Sequence, residues 1–149
     1  MFIFRSPSSR QLSIGLAVIR VAVAAVFINH GRQKLFVYGF AGVTGAFTQM
    51  GVPFPGVMGP LIGVLEFFGG IALVVGFLTR LLGVAFACDM LGAIFLVLLK
   101  KGFSGFELEF LLLAASVALF LTGAGRFSVD AFLAGRGKPS VPEDGPAER

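Results

Sequence analysis

Four apolar runs, at 12–30, 57–78, 81–99 and 106–123, dominate this chain of 149 residues. Each is close to the roughly 20 residues that an α-helix needs to cross the hydrocarbon core of a bilayer. Only a helix satisfies its backbone groups inside one such segment, so strands and irregular spans are excluded. The expected fold class is all-α, an integral membrane four-helix bundle. Composition agrees: 56% of residues are apolar and 13% charged, with a mean hydropathy of +0.93. A soluble domain averages roughly 25% charged residues. One this apolar has too little interior to hide the surplus, so lipid is the expected partner. The first run is too long for a secretory signal and carries Arg20 at its middle, which predicts a retained helix.

The connections differ in kind. Thr79 and Arg80 alone join the second and third runs, and so short a link forces an antiparallel hairpin. Residues 36–56 (FVYGFAGVTGAFTQMGVPFPG) contain no charge. They predict a short interfacial segment between helices 1 and 2, helical near 41–50 and broken by Gly51-Val52-Pro53. After the fourth run, 127–134 predicts a short amphipathic interfacial helix capped by Ser128. The bundle domain is thus expected over 12–133, with an N-terminal segment 1–11 and a Pro-, Gly- and charge-rich disordered tail at 135–149. Arg5, Arg10, Arg80, Arg126, Arg136, Lys138 and Arg149 fall on one side of the expected bundle, and Arg32, Lys34, Lys100 and Lys101 on the other. Seven against four places both termini in the cytoplasm of a multi-pass inner-membrane protein.

Charges inside such runs need partners. An ionisable side chain at mid-membrane costs at least about 2.5–3.5 kcal/mol, so it faces protein or water. Arg20, Glu66 and Asp89 fall near the middles of the first three runs. At about 1.5 Å per residue, Arg20 and Asp89 lie roughly 12 Å, and Glu66 roughly 18 Å, from the inner face. An inner tier with Arg20 between the two acids follows. His30, Arg32 and Lys34 close the first run and Glu107 and Glu109 open the fourth, which predicts an outer tier. Both tiers have a purely structural alternative, in which paired charges fix helix register. Gly59, Gly63, Glu66 and Gly70 share one face of the second helix, a small-residue packing seam that turns Glu66 inward.

Several chemistries are excluded by counting. The single cysteine, Cys88, rules out an intramolecular disulfide, a C-x-x-C redox pair and a cysteine zinc site, and it reads as a small buried packing residue. One histidine cannot make a bis-histidine haem. His30 is too far along its helix to share a metal with Glu66 and Asp89, so no metal site is expected. No phosphate-binding loop or nucleophile elbow occurs. The net charge of +4 is not gathered into a basic stripe interleaved with aromatics, so nucleic acid is not an expected partner.

The segments IRVAVAAVFINHGRQKLF, QMGVPFPG, VLEFFGGIALVVGFLTRL, LEFLLLAA and GAGRFSVDAFL, in this order and spacing, resemble the DoxX family of small four-helix membrane proteins. The resemblance covers about residues 16–133. It carries the family's polar features onto Arg20, His30, Gly31, Lys34, Glu66, Gly70, Arg80, Glu109 and Asp130; Asp89 has no counterpart in that pattern. The family takes its name from subunits of a thiosulfate-oxidising, quinone-reducing membrane enzyme.

Three functional readings follow. The first is an integral membrane subunit of a redox complex, with a quinone as cofactor and its electrons supplied by another subunit. In that reading Arg20, Glu66 and Asp89 form an intramembrane polar site, and His30, Lys34 and Glu109 an outer site for a quinone head group. The second is a non-enzymatic structural or assembly subunit, partnered by other subunits or by copies of itself. The third is a small-solute carrier, which four helices without an internal repeat support least.

Overall fold

The computed structural model describes residues 6–136, and every regular element among them is helical. Residues 1–5 and, of the tail expected at 135–149, residues 137–149, with Arg5, Lys138 and Arg149, lie outside the described residues, as does the Arg136 side chain; Gly135 and Arg136 are not tail but the end of the last helix.

Helix α1 spans Ser9–Arg32 and begins three residues before the apolar run, because Ser8 and Gln11 cap it reciprocally. The Ser8 hydroxyl accepts from the Gln11 backbone N–H at 3.3 Å, and the Gln11 side chain accepts from the Ser8 N–H at 2.8 Å. Wider π-helical turns over Gln33–Tyr38 carry the helix onward. Gly39, at φ +65°, then redirects the chain into α2, Gly39–Gln49. This is the short helical segment expected between the first two spans. It ends in a Schellman turn, with Gly51 at φ +73° donating to the Thr48 carbonyl and Val52 donating to that of Phe47.

Pro55 occupies the first turn of α3, Pro55–Val64, where a missing N–H costs nothing. A π-helical stretch, Leu65–Gly69, joins α3 to α4, Gly70–Val75, in one rod. A second Schellman turn closes it: Gly76, at φ +71°, donates to Leu73 and Phe77 donates to Ala72. Helix α5, Thr79–Gly92, continues through π-helical turns at Ala93–Leu98 to Lys101. Helix α6 spans Glu107–Thr122 and α7 spans Val129–Arg136, with the Ser128 hydroxyl accepting from Ala131 N–H as its cap.

Among the described residues, three stretches are long and apolar enough to cross a membrane: Ser9–Gln49, Pro55–Val75 and Thr79–Lys101. Helix α6 falls inside the fourth expected run, but its 16 residues rise only about 24 Å. It is bounded by Phe106 in a non-helical conformation and by Gly123 at φ +76°.

The rods pack as two antiparallel pairs, α1 against α3–α4 and α5 against α6. Missing side chains set the closeness of each pair. A Cβ on Gly31 would lie 2.3 Å from the Phe67 nitrogen, one on Gly70 2.7 Å from Ile28, and one on Gly83 2.8 Å from the Ser116 carbonyl. The seam expected on the second rod is real, since Gly59 meets Val43 and Gly63 meets Lys34 and Leu35. Phe27 of α1 stacks on Phe86 of α5 with ring centroids 3.8 Å apart, joining the pairs through one core that includes Leu73, Leu82, Met90 and Leu119. The outward faces carry Val18, Leu81, Phe95, Leu111 and Leu121, an apolar surface that the bilayer covers. Cys88 is also exposed, contrary to its expected burial, because core-facing Phe86 and Met90 turn it to the opposite side of α5.

Candidate functional site

Side-chain charge is gathered at two levels, and their membership differs from the expected tiers. The register of α1 against the second rod explains why. Gly63 lies against Lys34, Gly31 against Phe67, Gly70 against Ile28 and Gly76 against Arg20. Glu66 is therefore level with the end of α1, and Arg20 is level with the hairpin turn. Ten residues separate Glu66 from Gly76, about 15 Å of helix, which an arginine side chain cannot cover.

Arg20 thus does not join Glu66 and Asp89 as expected. Counting depth from residues 12 and 78 placed the two helix ends at one height, whereas α1 extends from Arg20 down to Ser9, past the level at which the second rod stops. Arg20 is 4% exposed and donates to two carbonyls beyond α6, that of Ala124 at 2.6 Å and that of Phe127 at 2.8 Å. Its charge acts on Asp130, whose carboxylate accepts from the backbone N–H groups of Leu78 at 2.8 Å and Thr79 at 2.9 Å. Leu78 is held there at φ +52°, in the left-handed region. The Asp130 N–H donates to the Gly76 carbonyl at 2.9 Å. Arg20 and Asp130 therefore clasp α1, the α4–α5 turn and the start of α7 together. The sequence reading missed this role for Asp130; its place one residue inside a helix start, opposite a two-residue turn, was the available signal.

The partner of Glu66 is Lys34. Its ammonium donates to Glu66 Oε2 in a buried ion pair, with the Glu66 side chain 4% and that of Lys34 19% exposed. Asp89 stands ten residues above Thr79, the height of Glu66 above Gly76, and lies within hydrogen-bonding reach of it. The cluster is electrically neutral when the two carboxyl groups share one proton, and carries a net negative charge when both are ionised. His30 is near enough for its charge to act on Glu66.

These side chains form the polar end of a cavity of about 540 Å³, also reached by Glu109 from the first turn of α6. Glu107 is exposed and does not line it. The remaining wall is apolar, with Met50, Met58, Leu61, Ile62, Leu65 and Leu96 among its members. Lys34, Glu66 and the 93–98 wall all sit on π-helical stretches, so the three wide turns converge on one space. Such turns insert an extra residue per turn and recur at functional sites. Five of the six expected site residues, His30, Lys34, Glu66, Asp89 and Glu109, thus meet around one cavity rather than in two tiers; Arg20 alone stands apart. The volume and the few convergent polar groups match a small-molecule site.

The sequence profile of the DoxX family matches residues 15–99, from α1 to the π-helical end of α5. "Putative oxidoreductase CatD" of Bacillus subtilis is 35% identical over 127 residues, covering 84% of this chain and 91% of that protein. "Inner membrane protein YqjF" of Escherichia coli is 34% identical over 124 residues, covering 80% and 92%. "Uncharacterized membrane protein Rv3486" of Mycobacterium tuberculosis is 33% identical over 132 residues, covering 79% and 80%. No solved structure matches the chain. With its helical rods, its cavity charges and the matched span on one continuous stretch of sequence, the chain belongs to the DoxX family.

Proposed function

We propose that the chain is an integral inner-membrane subunit of a redox complex, crossing four times with both termini in the cytoplasm, and that its cavity receives a quinone head group. The observation that carries this reading is the cavity itself, apolar along its walls and charged only at the Lys34–Glu66–Asp89 end. Lys34 and His30 offer donors to quinone oxygens, while the carboxyl groups hold and pass protons. The chain has no electron-carrying motif, so electrons arrive from another subunit. The name of the Bacillus subtilis relative supports a redox setting.

Two variants test the reading. His30→Ala and Glu109→Gln alter the lining without breaking the Lys34–Glu66 pair, so membrane abundance is expected to stay near wild type. Quinone retained after purification in mild detergent is expected to fall roughly tenfold, the effect of losing one good polar contact. Wild-type protein that neither retains nor takes up a long-tailed quinone would leave the structural or assembly subunit as the better reading.

A further inference from the structure

A second hollow, of about 500 Å³, lies between the start of α5 and the chain that links α6 to α7. It is at the end of the bundle where α1 begins, since Gly125 in its wall packs against Ser13. Arg80 stands in the same wall with its guanidinium beside Gly123: a Cβ on that glycine would lie 3.4 Å from Arg80 Nε. Among the described residues the only ion pair is Lys34–Glu66, so Arg80 has no acid partner there.

Arg20 prepares two further donors. Its Nη1 and Nη2 hold the carbonyls of Ala124 and Phe127. In a trans peptide the N–H points opposite to the C=O, so the N–H groups of Gly125 and Ser128 point away from Arg20. Both residues line the hollow, and neither N–H finds an acceptor among the described residues. A cation on each carbonyl polarises the peptide and strengthens the N–H on its far side. Asp130, the acid in this wall, is already engaged, because each carboxylate oxygen accepts from a backbone N–H, that of Leu78 or that of Thr79. A guanidinium and two backbone N–H groups around one hollow suit the oxygens of a phosphate.

The apolar wall selects what bears that phosphate. Leu81 is 64% and Leu78 47% exposed, and Leu81 lies in the first turn of a rod able to cross the membrane. The hollow therefore opens where acyl chains meet their head groups. With the Asp130 carboxylate engaged, no acid is left in the wall for an ammonium, which favours an anionic lipid over a zwitterionic one.

We propose that this hollow binds the phosphate of an anionic phospholipid through Arg80 and the N–H groups of Gly125 and Ser128, with its acyl chains along Leu78 and Leu81. The lipid bridges the start of α5 to the α6–α7 link and so tightens the clasp made by Arg20 and Asp130. The site is separate from the cavity at Lys34, Glu66 and Asp89 and does not depend on what that cavity holds.

Native mass spectrometry and melting temperature of the full-length protein in mild detergent test the site, with phosphatidylglycerol, phosphatidylethanolamine and glycerol phosphate as probes. Phosphatidylglycerol is expected to bind and to raise the melting temperature, and phosphatidylethanolamine to bind roughly tenfold more weakly. Arg80→Gln is expected to weaken phosphatidylglycerol binding roughly tenfold, the effect of one charge-assisted hydrogen bond, with Arg80→Lys in between. Arg10→Gln removes an exposed charge from the same end but outside the hollow, and is expected to leave binding unchanged. Equal losses in Arg10→Gln and Arg80→Gln would mean general attraction of a basic surface to an anionic bilayer, and would overturn the site. Equal binding of the two lipids by the wild type would also overturn it, and that comparison decides even where Arg80→Gln folds poorly. Stabilisation by glycerol phosphate as large as that by the lipid would make a soluble phosphate the ligand and overturn the lipid assignment.

Discussion

Lys34 and Glu66 bring a full charge pair into a protein whose solvent is hydrocarbon, and the energetics of that pair separate structure from function at the residue scale. Removing one member leaves the other buried without a counter-charge, which in a protein interior costs about 3–5 kcal/mol. Lys34 is partly exposed, so the lower part of that range or less applies here. Replacing both with apolar and neutral side chains of like size removes the penalty together with the attraction. Lys34→Met and Glu66→Gln should each lower the melting temperature in detergent, and the double variant should recover most of the loss while still failing to bind quinone. A double variant as unstable as the sum of the singles would mean that the two side chains act on stability independently. The pairing was only half legible in the sequence. The inward faces of Glu66 and Asp89 could be read from the cost of a charge in lipid, whereas Lys34 was expected in an outer tier apart from them. Which base meets which acid depends on the vertical register of two helices, and that is set by glycine contacts such as Gly31 on Phe67, which no count from helix ends contains.

Glycines and caps carry the corresponding argument for whole elements. Gly31 and Gly15 occupy the same helix, yet a Cβ on Gly31 would lie 2.3 Å from backbone of the second rod and one on Gly15 would meet nothing within 4 Å. Gly31→Ala is therefore expected to push α1 off the rod and reduce monodisperse protein on size exclusion several-fold. Gly15→Ala should be neutral or slightly stabilising, by at most about 1 kcal/mol of helix propensity. Equal behaviour of the two would contradict the close approach. Asp130 has a comparable role at the hairpin, where one carboxylate satisfies two of the first N–H groups of α5. Loss of a helix cap costs roughly 0.5–2 kcal/mol. Asp130→Ala should accordingly expose the turn around Gly76 to limited proteolysis, with Asp130→Asn, which keeps one acceptor oxygen, in between. Short-range chemistry made the local parts of this legible: the Ser128 cap and the break at Gly51 form as their residue types predict, and the hairpin turn is tight as expected, but it lies at Gly76-Phe77-Leu78 rather than at Thr79-Arg80, which already belong to the first turn of α5. The docking of α7 onto that link joins positions some fifty residues apart and leaves no local trace.

At the scale of the whole molecule, α6 decides how many times the chain crosses. Its 16 residues fall short of the length of the other rods, and on length alone it could be read as a helix that never spans. The chain that follows it argues otherwise. Gly125 packs against Ser13 in the first turns of α1, the Arg126 N–H points to the Ser13 hydroxyl, and Asp130 holds the α4–α5 turn. Residues 125–130 have therefore returned to the end of the bundle at which α1 begins. The start of α6 lies at the opposite end, where Glu109 joins the cavity lined by His30 and Lys34. A helix whose two ends reach opposite ends of the bundle supports the four crossings proposed above, and a span of about 24 Å would need only modest local thinning of a roughly 30 Å core, or help from the 3₁₀ turns at Leu99–Lys101 and Phe103–Gly105. In a Cys88→Ser background, Ser8→Cys and Ser140→Cys should react with a membrane-impermeant maleimide only from the cytoplasmic side, and Ser104→Cys only from the other. Reaction of Ser8→Cys and Ser140→Cys from opposite sides would mean that α6 does not cross, and the clasp between Arg20, Asp130 and the hairpin could not then form in the membrane.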